Sequence, residues 1–276
     1  MSMEMHGIEA AINQAEIARK ELERIDEFLR YQRKTLRLHS CYSSWASAHI
    51  ALAIHDYYVK GEIASLKQHL HVATKLKIAS IALDDYQRFQ VGNEIRYALL
   101  SDNPALIDAI AKLEPPYFLE GRSNPLNAEF KVHMWQLAIR GDYEALQAKV
   151  ERLAKNGRKK DRELPAQGKD FFSLLMRGDK QGLEDLITQH AKVKSKDVFT
   201  EDFMCFEGTI EAKICWLKGI QVQIDSPLLP MDLMPIEPLE HYDDVYDFLS
   251  PGYVPPKVGL MERMRYWFRQ RSAAKF

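Results

Sequence analysis

Two carboxylates, Glu207 and Glu211, stand at a spacing that could support catalysis. They are four positions apart on a predicted helix, so their side chains share one face, as a hydrolase's paired acids must converge on one substrate. The alternative is a solvated pair, or a pair bridged to a nearby base such as Lys213 or Lys218. Helical carboxylate pairs are usually of this second kind, so the alternative is preferred.

A second candidate is His39 with Cys41, in the sequence LHSCYSSW, which has the residue types of a base and a thiol nucleophile. Such chemistry needs a base, an orienting group and an oxyanion donor that converge, and the sequence indicates no such convergence. A helix start with serines as caps is the simpler interpretation. Cys205 and Cys215 are ten residues apart on one predicted helix, about 15 Å by helical rise, which excludes a disulfide within that helix.

Motifs for metals and cofactors do not occur in the sequence. None of the nine histidines has Asp or Glu three residues before it, and there is no HExxH. His69 and His71 are two positions apart on a predicted helix and therefore face different directions. There is no CxxC, GxGxxG or GxxxxGK[ST] pattern. The prediction is no catalytic residue, no metal, no cofactor, no enzyme activity and reduced thiols.

Composition restricts the partners. The 276 residues carry a formal net charge of −1, so no uniform positive field favours nucleic acid or an anionic membrane. The longest apolar stretch, Ala46 to Ile54, is about half of a membrane span. The first residues are charged and amphipathic, unlike a signal peptide. We therefore expect a cytoplasmic protein with no direct nucleic-acid partner and no membrane partner.

The elements that would position these residues are predicted helices. Residues 1–103 contain no proline, which permits long helices. Apolar residues in steps of three, four and seven predict one helix from about Gly7 to Leu38. A second helix, about Tyr42 to Val59, is apolar nearly all round and should be central in the packing.

An internal repeat is the most informative regularity. Four stretches are alike: VKGEIASLKQHL (59–70), LLSDNPALIDAI (99–110), IRGDYEALQAKV (139–150) and MRGDKQGLEDLI (176–187). Their anchor leucines, Leu66, Leu106, Leu146 and Leu183, are offset by 40, 40 and 37 residues. LKGI at 217–220 is a partial fifth copy.

Each copy has the sequence of a helix end, a tight turn and a helix start. Gly61, Gly141 and Gly178 suit a left-handed helix C-terminus, where a residue without a side chain is least strained. Asp102, Asp142 and Asp179 suit the next N-cap, and Pro104 suits a first helical turn. Chance similarity among helix caps is the alternative.

The predicted fold is therefore all-α, with stacked helical hairpins forming α-solenoid-like repeats of about 40 residues. A single helical domain spans 1–276, with N-terminal helices at 1–60, hairpin repeats at 61–220, and a proline-rich acidic part with a final helix at 221–276.

The last part has several predicted elements. Thr200 should cap a helix that runs to Leu217, and residues 221–225 alternate like an extended segment. Seven of the twelve prolines lie in 227–256, with apolar residues between the first four, which predicts an ordered loop laid across the helices. A final helix is predicted from about Leu260 to Arg271.

Charge is distributed unevenly near the C-terminus. Residues 219–256 hold seven acids and no Lys or Arg, whereas 257–276 hold six bases and one acid. These blocks are either solvated, paired with each other, or a partner surface, on which charge steers the encounter and tyrosines supply buried anchors. The candidate partner-binding residues lie within 237–247, here called the acidic segment: Glu237, Glu240, Tyr242, Asp243, Asp244, Tyr246 and Asp247.

The same region carries a family resemblance. EAKICWLKGIQVQIDSPLLPMDLMPIEPL (211–239), followed by HYDDVYDFL (241–249), resembles the bacterial immunity protein 49 family of polymorphic-toxin systems. The shared features are Glu211 with Ala212, Leu217-Lys218-Gly219, the step that ends at Asp225, the Ser226–Pro230 sequence and the Tyr-Asp-Phe-Leu sequence.

The resemblance implies a mostly helical protein that binds and neutralises a cognate toxin delivered by contact or by a system such as type VI secretion. A nuclease is the toxin for which an acidic surface makes most sense. Two other functions stay open: a helical-repeat scaffold that joins proteins without any toxin, and an enzyme whose first suspects are Glu207 with Glu211 and His39 with Cys41.

Overall fold

A computed structural model describes residues 2–32, 37–83, 92–194, 199–250, 252–254 and 257–273 of the chain. All regular structure within those ranges is helical, and they contain no β-strand. The all-α class predicted from the sequence is therefore confirmed.

Fourteen α-helices occur in the described ranges. They are α1 (Ser2–Leu22), α2 (Ile25–Glu27), α3 (Leu38–Tyr58), α4 (Ile63–Ala82), α5 (Asn93–Ser101), α6 (Pro104–Ala111), α7 (Pro116–Gly121), α8 (Ala128–Arg140), α9 (Tyr143–Asn156), α10 (Lys159–Gln167), α11 (Phe171–Arg177), α12 (Lys180–His190), α13 (Phe206–Leu217) and α14 (Leu260–Ala273). A π-helical segment, Phe28–Gln32, follows α2, and 3-10 turns occur at Met231–Leu233 and Asp247–Leu249.

The first predicted helix is interrupted. α1 ends at Leu22, where the Arg24 amide donates to Glu21 O and tightens the last turn. Beyond this break Ile25 and Leu29 are buried, so the change of direction keeps the apolar stripe on the core. The prediction of one continuous helix from Gly7 to Leu38 was wrong, and residues 33–36 lie outside the described ranges.

α3 is central, as its all-round apolar sequence predicts. Its residues are buried along most of its length, and it packs against α1 on one side and α4 on the other. Ala15 and Ala18 of α1 meet Ala48 and Ala51 of α3, and these small side chains allow the two helices to approach closely.

Helix–turn–helix connections are present at the four predicted turns. Gly141 and Gly178 end α8 and α11 in the left-handed conformation, with φ of 75° and 66°. Asp142 and Asp179 then accept hydrogen bonds from amides in the first turns of α9 and α12. The four anchor leucines are buried beneath these turns.

The second turn differs from the prediction in detail. Asp102 itself takes the left-handed position, with φ of 55°, and the neighbouring Asn103 accepts from the Leu106 amide at 3.1 Å as the N-cap. The prediction of Asp102 as the N-cap was wrong by one residue. A short polar side chain tolerates the left-handed region better than most, so Asp can replace glycine there.

The partial fifth copy at 217–220 begins no new hairpin. Gly219 has φ of 79° and ends α13, but the chain then runs extended. Val222 and Ile224 are buried there while their neighbours Gln221, Gln223 and Asp225 are exposed, as the alternation predicted.

A regular repeat stack is not confirmed. Consecutive helices do pack as neighbours, but α13 also packs against α5 and α8, which are far from it in sequence. In a solenoid each unit contacts only the adjacent units. The return of α13 therefore gives most of the described helices a shared core that the forty-residue period did not predict.

The C-terminal part lies across these helices. Leu229, Leu233 and Met234 of the proline-rich stretch are buried, which confirms an ordered apolar loop. Thr200 lies in a turn rather than at a helix start, because α13 begins only at Phe206. The predicted cap at Thr200 was wrong, and the predicted final helix is α14.

Candidate functional site

A buried ion cluster joins the helices to the C-terminal part. Asp102, at the end of α5, is fully buried and receives Lys67 Nζ of α4 at 2.9 Å and Lys213 Nζ of α13 at 2.6 Å. Both lysine side chains are also buried. Because charges of this kind are costly to desolvate, they persist only when they are paired and hydrogen-bonded.

The two ammonium groups also hold the proline-rich chain. Lys213 Nζ donates to the carbonyls of Leu233 and Pro235 at 2.6 and 2.9 Å, and Lys67 Nζ donates to Glu237 O at 2.6 Å. Proline has no backbone N–H to donate, so a proline-rich stretch leaves carbonyls without backbone partners, and the lysines satisfy several of them. Burial lowers the pKa of Lys213, and Asp102 opposes that change.

The acidic segment then follows one face of α4. Gln68 uses both ends of its amide: Nε2 donates to Asp243 O at 2.9 Å and Oε1 accepts from the Asp243 amide at 3.1 Å. Further along the helix, His71 Nε2 lies 3.0 Å and Lys75 Nζ 2.6 Å from Asp244 Oδ1. Hydrogen bonds from these bases lower the pKa of Asp244 below its ordinary value.

The tyrosines of the segment are engaged internally. Tyr242 OH donates to Ser101 O at 2.6 Å, and its ring stacks on His71 with centroids 4.9 Å apart. Tyr246 OH lies 2.8 Å from His49 Nε2. Both tyrosines are half-buried. A partner would therefore contact only the exposed edges of their rings, and the rings would not enter a pocket of the partner.

Five of the seven candidate residues present exposed carboxylates. They are Glu237, Glu240, Asp243, Asp244 and Asp247. The carboxylate of Asp243 accepts from His241 Nε2 at 3.0 Å, and both side chains are largely exposed. Asp244 differs from the other four because its carboxylate pairs with His71 and Lys75 of α4.

A line of histidines lies under the segment. His49 Nδ1 is 2.9 Å from His69 Nδ1, and His69 Nε2 is 3.5 Å from Asp56 Oδ2. Burial, with a smaller effect of His69, lowers the pKa of His49 to about 3. His69 and His71 do face different partners, as their spacing predicted. The described residues contain no cluster of three or more His, Cys, Asp or Glu arranged to hold a metal.

Glu207 and Glu211 line a cavity of about 430 Å³. Glu207 pairs with Lys131 of α8, and Glu211 Oε2 accepts from His190 Nδ1 of α12 at 2.6 Å. The sequence identified the two acids but gave no sign of His190, which lies 21 residues earlier and is brought to Glu211 only by helix packing.

His39 and Cys41 are placed at the start of α3, and neither lines this cavity. Burial raises the pKa of Cys41, which disfavours the nucleophilic thiolate. The geometry therefore gives no support to a thiol nucleophile at this position.

No family model, curated protein or solved structure matches the chain. The resemblance to immunity proteins accordingly stays a prediction. Among the described helices, none has the length and apolarity needed to cross a membrane.

Proposed function

We propose that this protein is an immunity protein that binds a cognate toxin and neutralises it through the acidic segment, without catalysis of its own. The observation that carries the proposal is the fixed display of the five exposed carboxylates of residues 237–247 on a backbone held by α4. A segment already ordered before binding loses little conformational entropy when a partner arrives.

The chemistry of the surface favours a basic partner. Exposed carboxylates steer a positively charged surface into contact and fix its orientation, more than they raise affinity by themselves. A nuclease binds phosphates and needs basic groups for that purpose. The carboxylates of the acidic segment would occupy such groups in place of phosphate, and the nuclease would lose its substrate.

The test is a charge-neutral variant with Glu237→Gln, Glu240→Gln, Asp243→Asn and Asp247→Asn. Its partner is the product of the gene adjacent to the one that encodes this chain, and the readouts are affinity and protection of cells that express that product. Asp244 is left intact because it pairs with His71 and Lys75. Four exposed charges at about 0.2–1 kcal/mol each predict a complex that is weaker by a factor of between about four and roughly a thousand, with a shallower salt dependence.

The matched control removes four exposed acids elsewhere: Glu120→Gln, Glu144→Gln, Glu163→Gln and Asp185→Asn. It changes the net charge equally, so it separates a local contact from a general field effect. Equal affinity of the two variants at physiological salt would show that the acidic segment is not the contact surface.

A scaffold that joins proteins without a toxin is the second candidate. The helix–turn–helix units favour it, because such units form extended binding surfaces in many unrelated proteins. Co-expression distinguishes the two: an immunity protein rescues cells that express the toxin, whereas a scaffold leaves their growth unchanged.

A further inference from the structure

The cavity that contains Glu211 has the dimensions and lining of a small-molecule site. Six helices, α8 to α13, contribute residues to its lining, and its volume of about 430 Å³ is within the range of ligand pockets. The larger apolar side chains of its lining are Leu126, Phe130, Leu153, Leu164, Phe171, Phe172 and Leu186. Leu126 and Leu164 are exposed, which places them at the mouth.

One polar atom in this cavity is unsatisfied. Glu211 is 0% exposed, and its Oε2 accepts from His190 Nδ1, but its Oε1 has no hydrogen-bond partner among the described residues. A buried carboxylate oxygen without a donor has lost its hydrogen bonds to water and gained none in return, which lowers the stability of the fold. A bound donor would relieve this cost.

Two of the other three acids of the lining are already engaged, and the third, Asp161, lies in the first turn of α10. Glu207 pairs with Lys131, and Asp170 accepts from the amides of Phe172 and Ser173 as the N-cap of α11. Glu211 Oε1 is thus an acceptor without a donor among the described residues, in a lining of aromatic rings, aliphatic side chains and the basic residues Lys131, Arg158 and Lys160.

We propose that this cavity binds a small organic cation, a primary amine or guanidinium on an aromatic or aliphatic stem, with its nitrogen on Glu211 Oε1. The stem lies against Phe130, Phe171 and Leu186, and Glu211 supplies the counter-charge. His190 acts as a positioning residue that fixes the carboxylate through Nδ1. The site is separate from the acidic segment, so it does not depend on the proposed toxin binding.

The first test compares 2-phenylethylamine and n-butylguanidine with their uncharged isosteres, 2-phenylethanol and n-butylurea, by calorimetry and ligand-detected NMR. The cations should bind at least tenfold more tightly than the neutral compounds. Equal binding of charged and neutral compounds, or no binding by the cations at millimolar concentration, would show that the proposal is wrong.

The second test uses Glu211→Gln, which keeps the side-chain size and an acceptor for His190 but removes the charge. Cation affinity should fall at least tenfold, whereas Glu207→Gln at the Lys131 pair should reduce it less than threefold. Unchanged affinity in Glu211→Gln refutes the assignment.

A third variant tests the cavity without a substitution at the buried position 211, where a change could disturb folding. Leu164→Trp fills the mouth from an exposed position on α10, so it should fold normally and abolish cation binding. Cation binding that survives this variant would locate the ligand elsewhere and overturn the proposal. Toxin binding should be the same in all three variants.

Discussion

Asp102→Asn provides the sharpest test of how the C-terminal part is held. The variant keeps the side-chain shape, and Asn accepts the left-handed backbone of position 102, so the change is mainly the loss of one negative charge. Two buried ammonium groups, Lys67 and Lys213, then have no carboxylate between them.

Two independent estimates of the loss agree. Removing one partner of a buried ion pair costs about 3–5 kcal/mol. The alternative is that one lysine loses its proton near pH 7. Because pH 7 is roughly three units below the ordinary lysine pKa, and each unit costs about 1.4 kcal/mol, this deprotonation costs about 4 kcal/mol. Three backbone carbonyls still accept from Lys213 and offset part of this loss. We therefore expect the free energy of unfolding to fall by about 3 kcal/mol.

The pH dependence gives the loss a specific signature. Burial lowers the pKa of Lys213 in the folded protein, and without Asp102 that pKa falls further. Between this lower value and the ordinary lysine pKa, the unfolded chain binds more protons than the folded one, so stability rises with pH. The deficit of Asp102→Asn relative to the unsubstituted protein should therefore be smaller at pH 9 than at pH 7.

Urea denaturation measures the global effect, and hydrogen exchange at the Glu237 amide measures the local one, since that amide lies 3.3 Å from Asp102 Oδ2. Asp108→Asn is the control, because its pair with Lys112 is exposed and should contribute below about 0.5 kcal/mol. If Asp102→Asn stays within about 1 kcal/mol of the unsubstituted protein, with the same pH dependence, the cluster does not anchor the C-terminal part.

Two further predictions concern the turns and the buried histidines. Gly178→Ala should lower the free energy of unfolding by about 1 kcal/mol, because a side chain is disfavoured in the left-handed backbone conformation even where space is open. Gly259→Ala is the control and should change the free energy of unfolding little in the same urea assay. Between pH 6.5 and its folded pKa of about 3, His49 binds protons more readily in the unfolded chain. The free energy of unfolding should therefore fall by about 1.4 kcal/mol per pH unit as pH drops below 6.5. His49→Gln should remove this part of the pH dependence. If the free energy of unfolding changes equally with pH in both proteins, the effect of burial on His49 is contradicted.

The local structure was well determined by the sequence. A glycine or Asp at the helix end, followed by a capping Asp or Asn, ends one helix and begins another through bonds within a few residues. The anchor leucines after these turns could be predicted as core residues for the same reason. The sequence did not predict that the first helix is interrupted at Glu23. The apolar stripe continues past this point, and such a stripe does not show where the helix axis changes direction.

The candidate sites were only partly visible. Exposed acids at 237–247 could be found from the charge block alone, but the use of Tyr242 and Tyr246 as internal supports could not. Lys213 had one signal, a charged residue between apolar neighbours on α13, which indicates a buried charge that needs a partner. Nothing near it in sequence identified Asp102, which lies 111 positions away on another turn.

The sequence by itself thus determined the helical class, the hairpin turns and the acidic surface, because propensity, capping and charge depend on residues close together in the chain. Tertiary structure alone decided that α13 returns to α5 and α8, that Lys67, Asp102 and Lys213 share one buried site, and that His190 reaches Glu211. Those contacts join side chains from separate helices, and their positions follow from how the apolar faces of all the helices fill one core.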